Sequence, residues 1–191
     1  FKSGLRFAAT VLSGGLIRTN PKALLDNQPL RQFLQQTLQL DGIQTALERD
    51  ALRAVAITAS GYTSASAISF FQAREGIETW QRTRRQGQAE PLKVHHLLAS
   101  AALPIIFPAE RIGNEYFGDG GMRMVAPLSP AIHLGANRLL VIGTRDENPD
   151  LPPENPAEYP SAGEIAGYLL DTIFMDTLNA DLARIKRIKK T

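Results

Sequence analysis

Residues 98–121 contain the stretch most specific for a fold, with LASAALP at 98–104 and YFGDGG at 116–121. The alanine-rich run predicts a helix, which must end before its closing proline because the residue preceding a proline disfavours helical geometry. Residues 111–117 predict a small hairpin, since Gly113-Asn114 separates Arg111-Ile112 from Tyr116-Phe117. The stretch therefore predicts a helix, a hairpin and a glycine-rich turn that carries one carboxylate, Asp119.

The chain that follows this turn alternates between helix and strand. Residues 127–134 predict a helix that Gly135 stops, and residues 138–142 (RLLVI) predict a buried strand. Residues 146–160 hold five prolines and predict an extended surface loop.

A final helix is predicted from Ser161, because Ser161 followed by Glu164 forms a capping-box pattern. Its apolar positions recur at helical spacing, so we expect one face to pack on the sheet. The residues expected to be buried on that face are Ile165, Leu169, Ile173 and Leu178.

The chain that precedes residue 98 also combines helices and strands. Residues 29–38 carry apolar side chains on one helical face, and residues 43–47 predict a further short helix. Residues 54–59 (AVAITA) and 67–71 predict two strands, whereas the polar residues 80–90 predict an exposed connection.

Helices and strands thus alternate, and the predicted strands are apolar on both faces. This combination is typical of an α/β layered fold with a largely parallel central sheet and flanking helices.

The composition bounds the function of the chain. A length of 191 residues suits one domain, and 43% hydrophobic residues argue against disorder. The sequence has no cysteine, which excludes disulfides, cysteine-based zinc sites and thiol nucleophiles. It has no D-x-D-x-D-G pattern, so we expect no calcium dependence. No apolar run approaches the length of a membrane span.

The net charge of +2 comes from one segment at the C-terminus. Five basic residues lie among residues 184–190, and the remaining 16 basic and 19 acidic residues have a net charge of −3. The basic character therefore indicates a solvated helix end rather than a nucleic-acid-binding face, with an anionic-lipid or phosphate contact as the alternative.

The motifs along residues 98–136 resemble those of the patatin-like phospholipase family. That family has a helix end of the form A-S-x-A-x-P, an aromatic-flanked D-G-G, and a proline-led helix that closes on G-A before a strand. The corresponding motifs here are LASAALP followed by FP, then YFGDGG, then PLSPAI followed by LGA. The resemblance extends over about residues 29–188. It implies that residues 1–191 form the C-terminal portion of a single domain that is incomplete at its N-terminal side.

The resemblance also implies an activity, namely hydrolysis of lipid acyl esters by a serine–aspartate dyad without histidine. The family's nucleophile lies in a G-x-S-x-G elbow, and a glycine-rich loop supplies oxyanion-hole amides. Asp119 matches the family's catalytic base, and Asp119, Gly120 and Gly121 form its motif. The implied partner is a lipid or another acyl ester, in the cytoplasm or at the periphery of a membrane. No metal and no organic cofactor is implied.

The glycines around Asp119 suggest how its carboxylate is presented. We expect Gly118, Gly120 and Gly121 to allow positive φ, so that the short side chain projects into a cleft at a strand end. The alternative is a plain Asx-turn after a hairpin.

The sequence departs from the family pattern in one respect that bears on activity. No G-x-S-x-G occurs in the 191 residues, and the look-alikes LSGG at 12–15 and GYTSAS at 61–66 do not fit. We therefore expect the nucleophile to lie upstream and this chain to be inactive alone. Two alternatives remain: a noncatalytic patatin-like module that binds or regulates, and a small-molecule-binding α/β domain of unrelated function.

Other candidate residues have a simpler structural interpretation. Three histidines, His95, His96 and His133, could belong to a triad or a metal site, but adjacent helical residues point in different directions. Ser100 could be a surrogate nucleophile, but packing beside the active site suits its alanine-rich helix better. The tryptophan and arginines of residues 80–85 could touch a lipid interface, although a solvated loop is the simpler interpretation.

Overall fold

The computed structural model describes residues 23–142 and 159–173 of the chain. The described helices are α1 Gln28–Thr37, α2 Gly42–Glu48, α3 Val94–Ser100, α4 Ser129–His133 and α5 Ala162–Ile173. The described strands are β1 Ala54–Gly61, β2 Ala67–Ala73, β3 Trp80–Arg82, β4 Arg85–Ala89, β5 Glu110–Ile112 and β6 Glu115–Gly118. A 3₁₀ turn follows at Gly120–Arg123. None of these helices is long and apolar enough to cross a membrane.

The six described strands form one mixed sheet in the order β3-β4-β2-β1-β6-β5. β2 pairs with β4 in parallel, and the other four pairings are antiparallel. The chain thus has a mixed α/β fold with flanking helices, but the prediction of a largely parallel sheet is wrong for the described strands. The physical reason lies in the connections: β1–β2, β3–β4 and β5–β6 are joined by a few residues, and a parallel pair needs a crossover of a dozen or more.

One face of the sheet forms the core. Along β1, the side chains of Val55, Ile57 and Ala59 point to this face, where Ala59 opposes Ile68 of β2. Phe70 in this core is 1% exposed and packs edge to face on Phe117 with ring centroids 5.3 Å apart. Burying a side chain of this size contributes roughly 1.5–3 kcal/mol. Ala99 of α3 and Leu92, which precedes that helix, complete the core.

The opposite face of the sheet carries a stack of three rings. Trp80 of β3 stacks on Phe71 at 5.1 Å and on His133 of α4 at 4.9 Å. A Cβ at Gly87, the partner of Trp80 on β4, would overlap the indole ring. The prediction of a connection over residues 80–90 is therefore wrong, because the ring stack and the missing side chain hold two short strands there. The predicted exposure is confirmed for residues 81–84, 88 and 89.

A buried carboxylate attaches α1 to the hairpin β5–β6. Glu110, 8% exposed, accepts a hydrogen bond from Nδ2 of Asn27 at 2.9 Å and pairs with the Arg31 guanidinium. Both partners donate to the same oxygen, Oε1. The amphipathic helix predicted for residues 29–38 is confirmed as α1.

The predicted strand at residues 138–142 does not form. Leu140 is 89% exposed and Ile142 85% exposed. A buried strand needs neighbouring strands as well as apolar side chains, and no described strand pairs with this segment.

The final helix begins as predicted but does not bury its apolar face. Glu164 N–H donates to Ser161 Oγ at 3.2 Å and Ser161 N–H donates to Glu164 Oε2 at 2.6 Å, which confirms the capping box. However, Ile165 is 42% and Leu169 58% exposed, so the predicted burial is wrong for both. The Ile173 side chain and Leu178 lie outside the described residues, as does most of the predicted proline-rich loop. Periodicity determines which face of a helix is apolar but not what that face packs against.

Candidate active site

Asp119 lies where the chain leaves β6 and enters the 3₁₀ turn. Its backbone N–H donates to the carbonyl of Ala102, just after α3, at 2.9 Å. Its carboxylate oxygen Oδ1 accepts the N–H of Gly121 at 2.8 Å, so Asp119 is the N-cap of the turn. This hydrogen bond is that of an Asx-turn. Two hydrogen bonds therefore hold Asp119. Its backbone is bound to the chain just after α3, and its carboxylate is bound within the turn itself.

Gly120 lets this turn pack directly on β1. A Cβ at Gly120 would overlap the carbonyl oxygen of Thr58. On the same sheet face, the hydroxyl of the buried Ser60 donates to the Gly120 carbonyl at 3.3 Å. Close approach, rather than backbone freedom, thus requires glycine here.

The expectation of positive φ in this motif is wrong. The described glycines with positive φ are Gly76, Gly113 and Gly135, and residues 120–123 adopt right-handed 3₁₀ geometry. The physical reason is that residues 120–123 continue as a 3₁₀ turn packed on β1, so the chain makes no tight reversal within the motif.

Two further side chains lie beside Asp119. The hydroxyl of Tyr62 is 2.6 Å from the position that a Cβ on Gly118 would occupy. Ser100, at the end of α3, has its hydroxyl 3.6 Å from the corresponding position on Gly120. Ser100 therefore lies against the Asp119 turn, where the sequence predicted a packing role.

The surroundings of Asp119 change the acidity of two groups. Burial raises the pKa of the Asp119 carboxyl, and the hydrogen bond from Gly121 opposes this rise. Burial also raises the pKa of the Tyr62 phenol, and the negative charge of Asp119 raises it further. The site thus makes the Asp119 carboxylate more basic, and the Tyr62 phenol less acidic, than the same groups in water.

The three histidines make other contacts in the described part of the chain. His133 stacks on Trp80, and its Nδ1 lies 2.8 Å from the carbonyl of Ser129. The rings of His95 and His96 touch edge to face with centroids 4.2 Å apart, so the expectation that they diverge is wrong. No contact found for these imidazoles involves Asp119.

His96 is completely buried beside a glutamate. Its Nδ1 accepts the N–H of Lys93 at 2.9 Å, and its Nε2 lies 3.5 Å from Oε1 of Glu90. Neither Nε2 nor Oε1 has a hydrogen-bond partner among the described residues. Burial, followed by the charge of His95, lowers the pKa of His96 to about 4. The imidazole is therefore neutral in the folded protein near pH 7.

Because His96 is buried in its neutral form, we expect acid to destabilise the fold. Between its ordinary pKa of 6.5 and its folded pKa of about 4, His96 binds a proton in the unfolded chain but not in the folded chain. The free energy of unfolding should fall as the pH falls through this range, by about 3 kcal/mol from His96 alone. Urea unfolding at several pH values measures the slope.

The matched variants for this pH dependence are His96→Gln and His133→Gln. The first removes the buried imidazole and should flatten the slope between pH 6.5 and 4, whereas the second should leave it steep. An unchanged slope in His96→Gln would show that another group causes the acid sensitivity.

The structure brings the predicted residues Asp119, Gly120 and Gly121 into one turn, but several of their neighbours were not predicted. Thr58, Ser60 and Tyr62 reach the turn because β1 pairs with β6 at Ser60–Gly118 and Gly61–Phe117. Alternation along β1 places the side chains of Thr58 and Ser60 on one face of the strand. Tyr62 lies in the turn after β1, so alternation gave no signal for it. Within the described residues, no cluster of three or more His, Asp or Glu side chains could hold a metal ion.

A comparison with protein families found a match over most of the chain. Residues 5–132 match the model of the patatin-like phospholipase family, and this match covers more than half of the chain. The chain therefore belongs to the patatin-like phospholipase family, which implies serine-dependent hydrolysis of lipid acyl esters. No curated protein and no solved structure matches the chain significantly.

Proposed function

We propose that the complete protein is a lipid acyl hydrolase that uses a serine–aspartate dyad, with Asp119 as its base. The observation that carries this proposal is the environment of Asp119: a half-buried carboxylate of raised pKa, fixed in its turn by Ala102 and Gly121. Membership in a lipid hydrolase family supports it. A raised pKa makes a carboxylate a stronger base, which suits proton abstraction from a serine hydroxyl.

The proposed reaction has two stages, and Asp119 carries the proton in both. First, the serine oxygen attacks the ester carbonyl while Asp119 accepts the serine proton, and that proton then passes to the leaving alcohol. An acyl-enzyme remains. In the second stage Asp119 accepts a proton from water as the water oxygen attacks the acyl carbon. The proton then returns to the serine oxygen, and the fatty acid is released.

We propose that the nucleophile is supplied by a part of the domain that precedes these residues. The chain holds no G-x-S-x-G, and residues 1–191 would then be the C-terminal portion of a single domain. The four hydroxyl-bearing residues that the structure places at or next to the Asp119 turn are Thr58, Ser60, Tyr62 and Ser100, and none follows the elbow pattern.

For this reason we expect the 191-residue chain alone to show no hydrolysis of a short-chain aryl ester above background. The measurement compares it with a longer protein that includes the upstream G-x-S-x-G, which should turn the ester over. Turnover by the 191-residue chain that disappears in Asp119→Asn would contradict the assignment of the nucleophile to an upstream segment.

The second candidate is a noncatalytic patatin-like module that binds or regulates. The absence of the elbow from these residues favours it. The two candidates differ in one observation, namely whether the protein encodes a strand followed by G-x-S-x-G before residue 1.

A further inference from the structure

Ile105 has a strained backbone and an exposed side chain. Its φ is +70°, in the left-handed region where a β-branched residue is a genuine outlier. Its side chain is nevertheless 55% exposed, so core packing does not account for the strained conformation. Strain of this kind persists where surrounding structure enforces it, and it is concentrated at functional sites.

A second segment is hydrogen-bonded to this loop and also exposes a branched apolar residue. The N–H of Leu24 donates to the Ile105 carbonyl and the N–H of Leu25 to the Ile106 carbonyl, each at 2.8 Å. Leu25 is 53% exposed. We call the pair Leu25 and Ile105 the apolar lip. Its backbone is fixed, because the buried Asn27 anchors the chain just beyond Leu25.

The apolar lip is continuous with the candidate active site. The loop that carries Ile105 begins at Ala102, whose carbonyl accepts the backbone N–H of Asp119. The loop is closed by the N–H of Phe107, which donates to the Leu103 carbonyl at 2.9 Å. Only two residues therefore lie between Ile105 and Ala102, whose carbonyl positions the candidate catalytic base.

We propose that the apolar lip inserts into the hydrocarbon of a lipid surface and holds the Asp119 turn at that surface. This inference rests on the proposed function, because a lipid substrate makes a lipid surface the relevant partner. The size of the lip favours lipid over a protein partner. Two branched side chains offer on the order of 200 Å² of apolar area, whereas a stable protein interface needs about 800 Å² per partner. A few apolar side chains suffice for reversible interfacial binding.

The test is sedimentation of the complete protein with phosphatidylcholine vesicles, a binding measurement that does not depend on turnover. Leu25→Ser and Ile105→Asn should each weaken vesicle binding roughly tenfold or more, as expected for the loss of one inserted aliphatic side chain. Asn is chosen because it tolerates left-handed geometry, so that the loop can keep its shape. Thermal unfolding should show that both variants remain folded.

The matched control is Leu52→Ser. Leu52 is 37% exposed and lies at the opposite end of β1 from Asp119, so the proposal predicts unchanged vesicle binding. An equal loss of binding in Leu52→Ser, or no loss in the two lip variants, would overturn it. The proposal would also be overturned if Leu25→Ser dissociated a dimer but retained vesicle binding. That outcome would show that the lip contacts a second copy of the chain.

A further variant separates this inference from the proposed function. Asp119→Asn should keep vesicle binding whether or not Asp119 is the catalytic base. If Asp119→Asn in the complete protein retains hydrolysis, the proposed function fails while the vesicle measurement still tests the lip. If hydrolysis is lost but the lip variants bind normally, only the lip proposal fails.

Discussion

Asp119→Asn in the complete protein is expected to lower lipid acyl hydrolysis by about 10²–10⁴-fold, or roughly 3–5 kcal/mol of barrier. The amide keeps the shape of the carboxylate and its oxygen can still accept the N–H of Gly121, so the turn should persist. What is lost is the group that takes the serine proton. The measurement is kcat on a lipid ester together with the thermal midpoint, and the midpoint should change little.

The histidine variants are the controls for this experiment. His95→Ala and His133→Ala should retain most of the activity, because neither imidazole contacts Asp119 in the described structure. Near-normal turnover by Asp119→Asn would refute the Ser–Asp mechanism. Complete loss in a folded histidine variant would point instead to a triad that includes an imidazole.

Gly120→Ala is expected to destabilise the fold by about 1–3 kcal/mol and to displace Asp119. The new methyl group would overlap the Thr58 carbonyl oxygen, which belongs to β1 in the middle of the described sheet and cannot easily move. The turn must shift instead, and the carboxylate of the adjacent residue shifts with it. Chemical denaturation measures the loss of stability, and kcat in the complete protein measures the displacement.

Gly42→Ala is the matched control, since a Cβ at Gly42 would meet no atom within 4 Å. Gly42 is the first residue of α2, and alanine is a better helix former than glycine, so stability should stay the same or rise slightly. Equal stability of Gly120→Ala and Gly42→Ala would mean that the Asp119 turn does not pack tightly on β1.

Local elements of this fold could be predicted from the sequence, whereas the directions of the strands could not. The strands at residues 54–59 and 67–71 and the hairpin at 111–117 are confirmed with boundaries shifted by one or two residues. Their apolar character on both faces suggested parallel pairing, although the short connections require antiparallel neighbours. Connection length was therefore the better guide to topology than the hydrophobicity of the strands.

The unconfirmed elements share one physical cause, which is that burial needs a partner. Residues 138–142 have the composition of a buried strand, and Ile165 and Leu169 have the spacing of a buried helix face. All of them are exposed apart from Val141, to degrees between 39% at Leu139 and 89% at Leu140 among the large apolar side chains. The candidate site shows the same limit. Asp119 was predictable from its motif, but the contacts of Ser60 and Thr58 depend on pairing between strands that are far apart in sequence.

The unequal pairing of β1 with its two neighbours has a consequence for the native-state fluctuations of the site. Seven residue pairs join β1 to β2, but only Ser60–Gly118 and Gly61–Phe117 join β1 to β6 among the described residues. Local opening of the hairpin β5–β6 therefore breaks fewer hydrogen bonds than separation of the central strands. Such an opening would carry Asp119 away from β1, and the Glu110 contacts would draw α1 with it. A ligand or protein segment that contacts both Asp119 and β1 would suppress this opening. The site would then be more rigid with the ligand or segment bound than without it.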